Sequence, residues 1–160
     1  YMLMGNLKHP EEISEEDRKL LRLLSIKGKA SLKDISAEIK RSPETIRYRI
    51  RVLEKKRIIL GYRANIDTCL LGYQYFKVFL LVSEFNEKRV NEFISYCNDQ
   101  PNIVYVTKAI GYAQLELELV SKTNMEFNEI MTGIRFKFVD IIKDYKFTDV
   151  YKEYRSDYLR

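Results

Sequence analysis

Apolar residues recur at helical spacing through the first third of the chain, and at alternating spacing through much of the rest. Ser14-Glu-Glu-Asp17 has the form of a capping box with Asp in the Glu/Gln place. Leu20, Leu21, Leu23 and Leu24 follow it and predict a helix that stops at Gly28. Leu32, Ile35 and Ile39 share one face of a second, short helix beginning near Ser31. Lys40-Arg41 makes a turn. Ser42 then caps a third helix with Pro43 at its first position, where the missing N–H costs nothing. Ile46, Ile50 and Leu53 are the buried stripe of that helix. Ile58-Ile59-Leu60-Gly61-Tyr62 followed by Ala64-Asn65-Ile66 reads as a short hairpin turning near Gly61. Three helices and a hairpin describe a winged helix-turn-helix.

The pattern changes after a junction at residues 68–72. Tyr73–Ser83 predicts a strand that is apolar on both faces, and Glu87–Asn98 a helix broken by Pro101. Asn102–Ile110 is a second strand and Gly111 turns the chain. Ala113, Leu115, Leu117 and Leu119 alternate with Gln114, Glu116 and Glu118, so a third strand has one apolar and one polar face. The polar row faces water, or a lysine such as Lys77 or Lys108 on a neighbouring strand or subunit. Thr123-Asn-Met-Glu126 is another capping box, with Phe127, Ile130, Met131 and Ile134 as the stripe behind it, and Ile141–Tyr151 is a last strand. The order βαββαβ is the split, ferredoxin-like arrangement. The expected fold class is therefore α+β: a winged helix-turn-helix over residues 11–67, then a ferredoxin-like domain over 68–160. The doubly apolar first strand needs two covers. One is the helices; the other is a partner's sheet, or the chain's own tail over Tyr151–Tyr158.

Charge sharpens this division. Residues 1–67 carry 16 Lys+Arg against 10 Asp+Glu, whereas residues 68–160 carry 12 against 13. A basic first half suggests a polyanionic partner. On a helical wheel, Glu44, Thr45, Arg47, Tyr48, Arg51 and Lys55 fall opposite the Ile46/Ile50/Leu53 stripe. Arg can pair with guanine edges, and Thr or Tyr can meet a phosphate or a base edge, so this face suits a major groove. Ser42 and the N–H groups of the helix start can hold a phosphate. Ser31, Lys33 and Arg41 flank the backbone, and Arg63 sits on the wing. Arg49 lies beside the apolar stripe, where its head reaches a carboxylate or a phosphate. A solvated helix face has a similar composition; the tri-helical order and the capped, proline-led start favour the groove.

Cys69 and Cys97 have no metal-ligand spacing, and Cys97 shares an apolar stripe with Val90, Phe93 and Ile94. A reduced, cytoplasmic setting fits two such cysteines. The longest apolar stretch, around Phe76–Val82, contains Lys77 and is too short to span a membrane. No nucleophile–base pair or metal cluster is visible, and His9 is the sole histidine. Neither a catalytic residue nor a cofactor is expected.

The stretches "DRKLLRLL", "SPETIRYRIRVLEKKRIILGY", "LGY…FKVFLLV" and "AIGYAQLELEL" resemble the Lrp/AsnC family of bacterial and archaeal transcription regulators, in order over roughly residues 14–150. The resemblance implies a sequence-specific regulator that binds double-stranded DNA, forms homodimers and often octamers, and often takes an amino-acid effector at an inter-subunit site. It places Ser42, Thr45 and Arg49 at signature positions of the recognition helix, Gly72 at the start of the ligand domain and Gly111 before the effector loop. The effector set would be Gly111, Tyr112, Gln114 and Glu116. Two departures stand out. Lys40 and Arg57 replace glycines usual in the family. Gly111-Tyr112-Ala113-Gln114 stands where Gly-Asp-x-Asp is common, leaving Glu116 as the nearest acid on that face. Two other readings compete: an architectural protein binding nucleic acid with little sequence preference, and a sirohaem decarboxylase-like enzyme of the same architecture, which the segments resemble more weakly. The latter would want arginine and histidine near the sheet domain, whose arginines are few, namely Arg89, Arg135, Arg155 and Arg160.

Overall fold

The structure, a computed structural model, describes residues 10–28, 30–83 and 86–154. The chain separates into two compact units, one built on the helices before Ala64 and one spanning Asn65–Glu153.

Helices α1 (Glu15–Ile26), α2 (Leu32–Ile39) and α3 (Pro43–Lys55) make the first unit. Each starts on a serine in extended conformation, Ser14, Ser31 or Ser42, whose Oγ accepts the backbone N–H three residues on. That satisfies one of the donors every helix start leaves unpaired. The apolar stripes meet in a small core of Leu20, Leu23, Ile35, Ile46 and Leu53, with Ile39 and Ile50 packed at its margin. The capping box is complete at Ser31, where Asp34 returns a bond to the Ser31 N–H at 3.1 Å. The one expected at Ser14 is half-formed. The Asp17 carboxylate is taken up mainly by the Ser14 hydroxyl, at 2.7 Å, and by Arg49, at 2.8 Å.

The α2–α3 turn is tight. Lys40 takes a left-handed backbone, φ 62° and ψ 47°, so that the chain can reverse and begin α3 two residues later at Ser42. Arg57, just beyond α3, is left-handed as well, at φ 58°. For a residue with a Cβ this conformation costs on the order of 1–2 kcal/mol.

The hairpin expected over Ile58–Tyr62 and Ala64–Ile66 does not form; among the described residues, no strand precedes Gln74. The Ile58 and Ile59 N–H groups both donate to the Leu53 carbonyl, at 2.9 and 3.2 Å. Their side chains pack at the edge of the helical core. The apolar pair thus closes the end of α3 instead of forming a ladder with residues 64–66.

The second unit starts at a short 3-10 turn, Cys69–Leu71, ended by Gly72 at φ 80°. Then follow β1 (Gln74–Val82), α4 (Glu87–Asn98), β2 (Ile103–Lys108), β3 (Leu115–Ser121), α5 (Asn124–Lys137) and β4 (Ile142–Asp149). The sheet order is β2-β3-β1-β4 with every pairing antiparallel, which is the ferredoxin-like βαββαβ arrangement. Phe76, Val78 and Leu80 of β1 and Leu115, Leu117 and Leu119 of β3 point to one face. There they meet Val90, Phe93 and Cys97 of α4 and Phe127, Met131 and Ile134 of α5. Burial pushes the Cys97 thiol up to about 12, as suits a core residue. At the start of α5, the Thr123 Oγ1 accepts from the Glu126 N–H, but Glu126 returns its bond to the Lys122 N–H (2.7 Å) instead of that of Thr123.

The other sheet face carries Tyr75, Lys77, Phe79 and Leu81, all half-buried, so β1 is apolar on both sides. Glu116 and Glu118 face Lys77 of the same chain, at 3.4 and 3.7 Å. Tyr151 is 93% exposed, so it covers neither face, and residues 155–158 of the expected tail cover lie outside the described residues. On the helical side, Arg89 fastens α4 to the α5–β4 turn: Nε and Nη2 grip Asp140 at 2.7 Å each, and Nη1 meets Glu92 at 2.6 Å.

Phe127 stacks on Phe76 at 4.3 Å and tilts against Phe147 at 4.7 Å. Phe127→Ala is expected to cost about 3–5 kcal/mol through lost burial and the cavity left behind. Urea denaturation followed by circular dichroism measures this.

Candidate nucleic-acid interface

The basic residues around α3 fall into two sets. Arg49 is half-buried, and its guanidinium is turned toward α1. Nη1 donates to Asp17 at 2.8 Å, Nη2 pairs with Glu16, and the Ser14 hydroxyl lies 3.4 Å away. Burial pushes the Asp17 carboxyl up, but the hydrogen bonds from Ser14 and Arg49 and the guanidinium charge outweigh it, so Asp17 titrates below the usual carboxylate range. The second oxygen of Glu16 takes the Arg41 Nε at 2.6 Å. Of the two partners open to Arg49 from the sequence, the structure supplies the carboxylate. Lys56 is neutralised by Glu11 at 3.0 Å and Lys27 by Glu38 at 2.7 Å.

Arg47, Arg51 and Lys55 form the other set. All three are exposed and make no hydrogen bond or ion pair with a described residue. Tyr48, 68% exposed, projects among them. Glu44 is exposed in the first turn. Thr45 is half-buried and its hydroxyl bonds Ser42 at 3.0 Å, so both hydroxyls belong partly to the cap. The Ser31 hydroxyl is likewise engaged, by Asp34 at 2.7 Å, with exposed Lys33 beside it. Arg63 lies exposed in the segment after α3, where the described residues form no strand. The acids that sort these cations, Glu16 and Asp17, were legible in the sequence only as helix-start residues. Their spacing does not reveal that they reach a residue more than thirty positions away.

The residues of the expected effector set gather at one end of the open sheet face, in unequal states. Gly111 has a φ of 147°, a backbone conformation that residues with a Cβ rarely adopt. Tyr112 is exposed under the Lys146 ammonium, 5.3 Å from its ring. The Gln114 Oε1 accepts the Val82 N–H at 3.0 Å, which ties β3 to the end of β1. Glu116 pairs with Lys77.

A tri-helical unit presenting an exposed basic helix, joined in sequence to a ferredoxin-like sheet unit, defines a helix-turn-helix protein with a separate α+β domain. Residues 13–54 match the AsnC-type helix-turn-helix domain. The chain is 30% identical over 119 residues to the HTH-type transcriptional regulator FL11 of Pyrococcus horikoshii, covering 74% of this chain and 78% of that one. It is also 30% identical over 124 residues to the uncharacterized HTH-type transcriptional regulator PF0054 of Pyrococcus furiosus, covering 77% of this chain and 80% of that one. Its fold is that of an AsnC family transcriptional regulator from Agrobacterium tumefaciens, with a TM-score of 0.78 at 16% identity over 91% of this chain and 94% of that one. The chain belongs to the Lrp/AsnC family of helix-turn-helix transcription regulators.

The folded-state pKa of Asp17 lies below its unfolded value near 3.8. Its contribution to stability is therefore complete above roughly pH 5 and is lost as pH falls through the unfolded and then the lower folded value. Asp17→Asn is expected to lose roughly 1–3 kcal/mol at neutral pH and to flatten the acid limb of the melting-temperature profile. Thermal melts from neutral to acid pH check both.

Proposed function

We propose that the protein regulates transcription by laying α3 into the major groove of double-stranded DNA, with Arg47 and Arg51 as base readers and Tyr48 and Thr45 beside them. The observation that carries this reading is the sorting of cations. Arg49 and Arg41 are bound to carboxylates of α1, while Arg47, Arg51 and Lys55 on the exposed face have no hydrogen-bond or ion-pair partner among the described residues. An exposed arginine with no internal partner is free to pair with guanine or phosphate at little cost in broken contacts. The protein works as a homodimer, or as an octamer built from dimers, through the half-buried sheet face of Tyr75, Phe79 and Leu81. Its two copies of α3 then read half-sites about 34–36 Å apart or a multiple of that. We place it in the cytoplasm and assign it no catalytic step. Modulation by an amino acid or another small molecule at Gly111, Tyr112, Gln114 and Glu116 fits the position of these residues on the same sheet face. The use of Gln114 and Glu116 in internal contacts favours a ligand that does not need a free acid there.

Arg47→Ala and Arg51→Ala are each expected to weaken binding to a selected operator by about 1–3 kcal/mol, while leaving random-sequence duplex much less affected. Fluorescence anisotropy on both duplexes measures the difference; equal losses on the two would favour an architectural, sequence-tolerant role. Light scattering at micromolar concentration should give a dimer or a multiple of it. A strict monomer would remove the paired-reader geometry.

A further inference from the structure

Lys40 and Arg57, both outside the set argued above, combine backbone strain with unused charge. Among the described residues they are the non-glycine positions with positive φ, at 62° and 58°. Glycine takes that backbone freely, whereas a long side chain gains no conformational ease there. Both side chains are exposed, and neither makes a hydrogen bond or ion pair with a described residue. A cation near a helix C-terminus does gain from the aligned peptide dipoles. At Arg57 that benefit is already supplied by Lys55 in the last turn of α3 and by Lys56 at its C-cap.

Their placement suggests what the charge is for. Lys40 sits two residues before the cap of α3 and Arg57 two residues after its last turn, so they bracket the helix. Thirteen residues of helix span about 20 Å, longer than the major groove is wide, about 12 Å. If the middle of α3 faces base edges, residues just past its ends lie near the groove rims, where the phosphates are. We propose that Lys40 and Arg57 grip the DNA backbone on either side of α3, and that their charges are kept in strained positions for that purpose. The proposal rests on the reading of α3 as the groove-facing helix.

Phosphate contacts carry no sequence information, so a labelled random-sequence DNA duplex is a sufficient probe. The full chain and its Lys40→Gly, Arg57→Gly and doubly substituted variants would be titrated by anisotropy across a range of salt concentrations, with thermal melts run in parallel. Each glycine variant is expected to melt at or above the temperature of the unsubstituted protein and yet bind several-fold more weakly. The slope of log K against log salt should become shallower by about 0.9 for every phosphate contact removed. Lys40→Arg, which keeps the charge, should retain the full slope. An unchanged slope in the glycine variants overturns the proposal, including the case where Lys40→Gly alters only the melting temperature, because the charge then serves α2 alone. A loss of slope in Lys40→Arg equal to that in Lys40→Gly overturns it for Lys40. If the unsubstituted protein does not bind the duplex even at low salt, the groove-facing reading of α3 fails, and this proposal with it.

Discussion

The arrangement of the helical unit depends on one guanidinium. Arg49 leaves α3 beside its apolar stripe and ends among the first residues of α1, between Glu16 and Asp17. The core beneath it is small, with five buried apolar side chains among the described residues. A charge-assisted contact made by both oxygen-bearing partners adds direction to what hydrophobic burial leaves nearly free. The arrangement is also self-limiting. Arg49 Nε is buried without a partner in the described residues, so part of the gain is offset by an unsatisfied donor.

The same clamp shapes the electrostatics of α3. By holding Arg49, and by reaching Arg41 with its second oxygen, Glu16 pairs two cations of this region. Within α3 itself, what remains is a narrower set on one side: Arg47, Arg51 and Lys55, with Tyr48 among them. In the proposed reading this narrowing matters more than net charge. A helix with every cation free would bind polyanions in many orientations, while one with some neutralised prefers a single face.

The sheet unit solves a different problem. β1 is central, paired on both edges and apolar on both faces. Its helix-facing side is closed by aromatic packing of Phe76, Phe127 and Phe147 and of Phe93 with Phe138. Its other side holds a Lys77–Glu116–Glu118 cluster amid Tyr75 and Phe79, with the Tyr75 hydroxyl on Glu118. Such a face is too apolar to be a simple solvated surface and too polar to be a dry core. That composition suits an interface with a polar centre, which is why assembly belongs in the proposed function.

Element type and order were legible from residue patterns alone, because periodicity and capping are local. Serines and threonine at 14, 31, 42 and 123 mark helix starts, and the α4 range, Glu87–Asn98, was read to the residue. The left-handed backbone at Lys40 and Arg57 was suggested by comparison with glycines usual at those places in related sequences, and it is what the backbone adopts. The hairpin after α3 was misread. An Ile-Ile pair followed by Gly-Tyr carries the same local signal whether it pairs with a strand or folds back on a helix end, and only the geometry of the Leu53 carbonyl and the nearby core decided for the latter. The partner of Arg49, the engagement of Gln114 and the identity of the lysine facing Glu116 and Glu118 are likewise tertiary facts. Each joins residues far apart in the chain, so spacing along the sequence carries no trace of them until the helices and strands have packed.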